Sequence, residues 1–143
     1  MPCTLLACSH GERLLIRAIR LVALENRCYG IRTLFEHACG PAGPDAWRAL
    51  DLFLWRVGRE GRRRLALSMP FDPRLTTDER TLLDAFAHGQ SEAYAGLIEI
   101  LTGLLDQRPD PPMVALVCQV AHALEFGGLT LGATVDVALM AAE

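Results

Sequence analysis

Residues Gly58 to Leu83, GREGRRRLALSMPFDPRLTTDERTLL, constrain this chain more than any other stretch. They hold an arginine-rich helix end, a short extended piece, two prolines and a helix start. Leu65, Leu67 and Met69 alternate with Ala66 and Ser68, which is the period of extended backbone. Pro70 and Pro73 keep the piece from becoming helix. Thr76 followed by Glu79 has the spacing of a capping box, and Asp78 and Glu79 suit the positive end of a helix dipole. The segment 65–75 therefore divides the chain into two helical halves. A lone strand has no evident partner in such a chain. It lies along the helices, or it pairs with the same strand of a second subunit.

Helical periodicity fills both halves. The first helix is expected over about Glu12 to Tyr29, with Gly30 as its stop. Arg13, Arg17, Arg20 and Arg27 form a narrow polar stripe, and Leu14, Ile16, Ile19, Leu21, Val22 and Leu24 cover most of the rest. A helix of this kind is buried on most sides. Ile31 to Cys39 reads as a second helix or a kinked continuation. Gly40-Pro41-Ala42-Gly43-Pro44 is a break. Asp45 to about Arg63 is a third helix, with Gly58 and Gly61 each weakening its end by about 1 kcal/mol relative to alanine. Further helices are expected from Thr76 to Gly89, from Ser91 through Leu105, and from Asp110-Pro111-Pro112 to Gly127-Gly128. A last short helix is expected after Thr130. The expectation is all-α: a compact single-domain bundle of about six helices over 1–143, with one extended segment near 65–69.

Composition narrows the function classes. All 14 basic residues are arginine, so chemistry that needs lysine is excluded. The net charge of −3 argues against a general nucleic-acid binder. The five cysteines have no disulfide-framework spacing, which fits a reducing cytoplasm. Leu5-Leu6-Ala7-Cys8 imitates a lipoprotein box without the basic and apolar segments that must precede one. No apolar run approaches the roughly 20 residues of a membrane span.

The candidate sites are modest. Arg56, Arg59, Arg62, Arg63 and Arg64 stand against a single Glu60 and could meet an acidic partner, although on a helix they would not share one face. Trp47 and Trp55, with Leu65, Leu67 and Met69, are candidates for an interface, because aromatics beyond the needs of a core mark one. Cys118 and His122 are one helical turn apart and could ligate a metal or haem. Cys3, Cys8 and His10, and His37 with Cys39, are looser clusters. In an apolar stripe, however, cysteine acts as a small hydrophobe. His88 suits a helix C-terminus but lacks an orienting partner for base catalysis. No acid, base and nucleophile can be assembled, so no enzyme is expected.

The pattern LLIRAIRLVALENRCYGIRTLF, then an Arg-rich helix end, a short extended segment and a proline break before LTTDERTLLDAF, resembles an uncharacterised family of short bacterial helical proteins. The resemblance covers roughly Leu14 to Leu105. It implies an all-helical fold and no assigned activity. With no activity assigned, no functional residue carries over; members of that family carry extra cysteines near the proline break, where Phe71-Asp72 stands here, so a metal role does not transfer from them.

The expectation from sequence is a cytoplasmic, non-catalytic protein-protein interaction or regulatory module, self-associating as a homodimer, with no cofactor. Its apolar helical face would dock a protein partner, and arginines at the rim would steer an acidic one. The alternative is a metal- or haem-binding helical bundle using Cys118 and His122. A weak nucleic-acid-binding regulator acting through the 56–64 arginines comes third.

Overall fold

The computed structural model of the chain describes residues 4–24 and 29–132, with Tyr29 by its backbone alone. Arg27, Cys3, Cys28 and the closing segment from 133 onward lie outside the described residues. Among the described residues six α-helices follow one another: α1 His10–Ala23, α2 Tyr29–Cys39, α3 Gly43–Glu60, α4 Thr77–Gln90, α5 Tyr94–Leu105 and α6 Pro111–Phe126. Single 3-10 turns precede α1 and α3. Among the described residues there is no β-strand, only an isolated antiparallel bridge between Thr4 and Arg74. No described helix is long and apolar enough to cross a membrane.

α6 lies against α2, α3 and α4, while α5 packs on α4. α1 touches α2, α3 and α4. Between Leu14 and Leu21 only Arg17 is exposed, so α1 is buried on most of its sides. The core joins Leu15, Ile16 and Ile19 to Phe53, Phe86, Leu101, Val117 and Leu124. Phe53 and Phe86 meet edge to face at 5.6 Å, a geometry that aromatic quadrupoles favour.

The helix starts follow local chemistry. Ser9 caps α1 in a reciprocal box with Glu12, a signal the opening sequence carries and the expected start at Glu12 overlooks. Thr76 and Glu79 form the same box at α4. Asp110 accepts from the Met113 N–H at 3.0 Å, with Pro111 in the first turn of α6.

Several boundaries differ from expectation. α1 ends at Ala23, and Gly30 lies in the first turn of α2. The glycine-proline break is a 3-10 turn that runs into α3, because Pro44 needs no amide partner at a helix start. α3 stops at Glu60, and Gly61 turns extended with φ −67° and ψ 139°. Arg62, Arg63 and Arg64 therefore lie beyond the helix. Ser91 does not open α5. Its hydroxyl bonds back to the Ala87 and His88 carbonyls and finishes α4, and a turn with Glu92 at φ 60° intervenes before Tyr94.

Candidate functional site

The segment after α3 is shaped by two carboxylates at the start of α4. Asp78 Oδ2 accepts the Ala66 N–H at 2.7 Å, and Glu79 Oε2 accepts the Ser68 N–H at 3.1 Å. The Thr76 hydroxyl donates to the Ala66 carbonyl at 2.6 Å. Residues 66 and 68 thus turn their backbone toward α4, as alternate positions of an extended strap must. Leu65 and Leu67 are half-buried and pack on the core.

Arg20 holds the far end of this strap. Its side chain is fully buried and pairs with the equally buried Glu79, Nε to Oε2 at 2.7 Å and Nη2 to Oε1 at 3.0 Å. The remaining guanidinium protons reach the carbonyls of Pro70 at 3.4 Å, Asp72 at 2.7 Å and Arg74 at 2.9 Å. All five donors of the planar fork are used. The expected polar stripe on α1 is corrected here: Arg20 is no surface residue but the buried clamp of the proline loop. Burial pushes the Glu79 carboxyl up, but Arg20 and the Thr76 and Ser68 amides outweigh it and hold the group below its ordinary range. Asp78 balances in the same way, with burial opposed by Arg63 and the Ala66 amide, and is also lowered.

Clamped in this way, the strap forms one wall of a groove of about 830 Å³. Val22 and Ala23 of α1, Leu54, Trp55 and Val57 of α3, and Leu65 and Leu67 of the strap supply its apolar surface. Arg59, Arg62, Arg63 and Arg64 line it too, with Asp51 as the one acid among the described residues. A separate, more open hollow is lined by Leu24, Met69, Pro70 and Phe71. Phe71 is 96% exposed at the tip of the loop.

The five arginines divide into two sets. Arg56 reaches Asp110 at 2.6 Å and Glu60 at 2.9 Å, joining α3 to the start of α6. Arg63 pairs with Asp78 at 2.6 Å. Both guanidinium pKa values are raised, chiefly by these hydrogen bonds. Arg59 instead lies over the exposed Trp55 ring, 5.2 Å from its centroid. Arg62 and Arg64 are exposed, and neither has a carboxylate within ion-pair reach among the described residues. The sequence treats the five alike; of the four at the groove, the tertiary structure leaves Arg59, Arg62 and Arg64 without a carboxylate partner among the described residues.

The other candidates lie apart from it. Trp47 is half-buried between α2 and α3, edge to face with Phe35 at 5.5 Å. Met69 sits in the neighbouring hollow and is 68% exposed. Cys118 lies against the core on α6, its thiol pKa raised by burial and then by Glu92. His122 faces Glu125 across 3.8 Å. Cys39 is fully buried, which pushes its thiol up to about 11. Among the described residues no three His, Cys, Asp or Glu side chains gather closely enough to hold one ion. The Nδ1 of His88 donates to the Asp84 carbonyl at 2.7 Å within its own helix.

Comparison of the chain with protein-family models, with curated proteins and with solved structures finds no significant match in any of the three.

Proposed function

We propose that the chain is a non-catalytic interaction module that docks an acidic, partly apolar segment of another protein in the groove between α1, α3 and the 65–69 strap. The observation that carries this reading is the placement of Arg59, Arg62 and Arg64 around an apolar floor beside the exposed Trp55. Arginine and tryptophan are the side chains that most often anchor protein interfaces. Positive charge at the rim raises the encounter rate of an acidic partner and repels basic ones. Apolar residues in the floor supply the burial that holds the partner once docked.

The test is recovery of partners from cells that make the protein, with mass spectrometry as the readout. The wild-type chain should recover an acidic partner, and recovery should fall with salt because rim charges are screened. Arg59→Glu, Arg62→Glu and Arg64→Glu together should lower affinity about tenfold or more while the helical signal is unchanged. Arg63→Glu should instead destabilise the chain, since Arg63 is paired with Asp78. Equal recovery by the wild type and the triple variant would remove the groove from consideration.

A further inference from the structure

The strap has two backbone edges, and at Leu65 and Leu67 only one is used. The Ala66 N–H and C=O and the Ser68 N–H are bound by Asp78, Thr76 and Glu79. Leu65 and Leu67 point their N–H and C=O groups the opposite way, because successive peptide units of an extended chain alternate. Among the described residues, none of these four groups has a hydrogen-bond partner. The same two residues line the groove. An open strand edge is a template for pairing with another extended chain, and proteins recognise peptides by adding a strand to such an edge.

We propose that the partner segment binds as a β-strand added to the outer edge at Leu65 and Leu67, with apolar side chains alternating with carboxylates. This rests on the docking reading above and specifies the conformation of what is docked. Alternation places every second side chain toward Val22, Leu54 and Trp55 and leaves the others to meet Arg59, Arg62 and Arg64 at the rim. A second copy of this strap fits the edge less well. In parallel register it would bring two arginine triplets together. In an antiparallel register centred on Leu67 it would set Leu65 opposite Met69, whose carbonyl already accepts the Asp72 N–H at 3.0 Å. The clamp by Arg20 and Glu79 holds the strap extended before binding, so little ordering cost remains to be met on association.

The test uses the full isotope-labelled chain and three synthetic peptides. One alternates valine with glutamate. The second is identical but N-methylated along one edge. The third has the same composition at helical spacing, with helix-favouring ends. The first should shift the Trp55 indole N–H signal and slow amide exchange at Leu65 and Leu67 about tenfold near saturation. The second should bind at least about tenfold more weakly, having lost backbone donors. Binding of the first and second peptides with equal strength, or of the third with no slowing at Leu65 and Leu67, would overturn strand addition while leaving the groove as a docking site. No response to any peptide, from a chain that still recovers its cellular partner through Arg59, Arg62 and Arg64, would also overturn it. Concentration-dependent protection of Leu65 and Leu67 without peptide would assign the edge to a second copy and overturn it as well.

Discussion

Arg20→Met should cost about 3–5 kcal/mol in urea unfolding, because it strips a buried carboxylate of its counter-charge. Glu79 is completely buried and keeps only the Thr76 and Ser68 amides as partners once the guanidinium is gone. The carbonyls of Pro70 and Asp72 lose this donor in the same step, and that of Arg74 keeps only the Ser68 hydroxyl. Met matches the arginine stem in length, so a lost cavity contact accounts for little of the effect. Arg20→Met with Glu79→Leu should recover part of the loss, since no charge is then stranded. It should not recover all of it, because Glu79 also returns the capping-box bond to Thr76. A cost under about 1 kcal/mol for Arg20→Met would show that water reaches the pair and that it does not hold the strap.

The same pair governs acid sensitivity. Glu79 and Asp78 both titrate below their ordinary values in the folded chain. Their contribution is therefore present above the unfolded carboxyl pKa, about 4. It is lost as pH falls through that value toward the lower folded ones. Unfolding free energy measured over this range should fall steeply in the wild type and less steeply in Arg20→Met. Parallel curves would mean that other carboxylates set the acid limit.

Gly43→Ala should destabilise by about 1–3 kcal/mol or more, against the helix propensity of alanine, which alone would stabilise by about 1 kcal/mol. Gly43 has an ordinary helical φ of −55°, so its conformation does not require glycine. Space requires it. A Cβ there would overlap the backbone carbonyl of Glu36, with the Glu36 Cα only 2.7 Å away. Relief would need α2 to move away from α3, and this would disturb Phe35 against Trp47. Gly58→Ala, in the last turns of the same helix, meets nothing within 4 Å and should stabilise by about 1 kcal/mol. Urea midpoints for the two variants should move in opposite directions. Movement in the same direction would mean that propensity, not the α2–α3 approach, decides both sites.

Much of the fold is legible in the chain because its signals act over three or four residues. The Thr76–Glu79 box, Asp110 before two prolines, the extended alternation of 65–69 and the apolar stripes of α4 to α6 all state themselves locally. They place the helices and the strap between them. Ser9 with Glu12 is the same signal at the first helix, and reading it would have moved that start by two residues. What a short window could not supply is which polar side chain goes inside and which arginines remain available. Arg20 has the same spacing as its surface neighbours on α1, yet its partner Glu79 lies 59 residues away. Arg63 and Arg56 look like Arg62 and Arg59 until Asp78 and Asp110 are brought beside them. Ser91 could cap either neighbouring helix, and the turn at Glu92 settles it for α4. Local propensity depends on a residue and its near neighbours, so the sequence by itself determined the helices and their breaks. Desolvation and charge pairing depend on everything within a few ångströms in space. Only the tertiary structure decided that the strap is clamped, that Leu65 and Leu67 leave one edge open among the described residues, and that Arg59, Arg62 and Arg64 stand at the groove with no carboxylate partner among those residues.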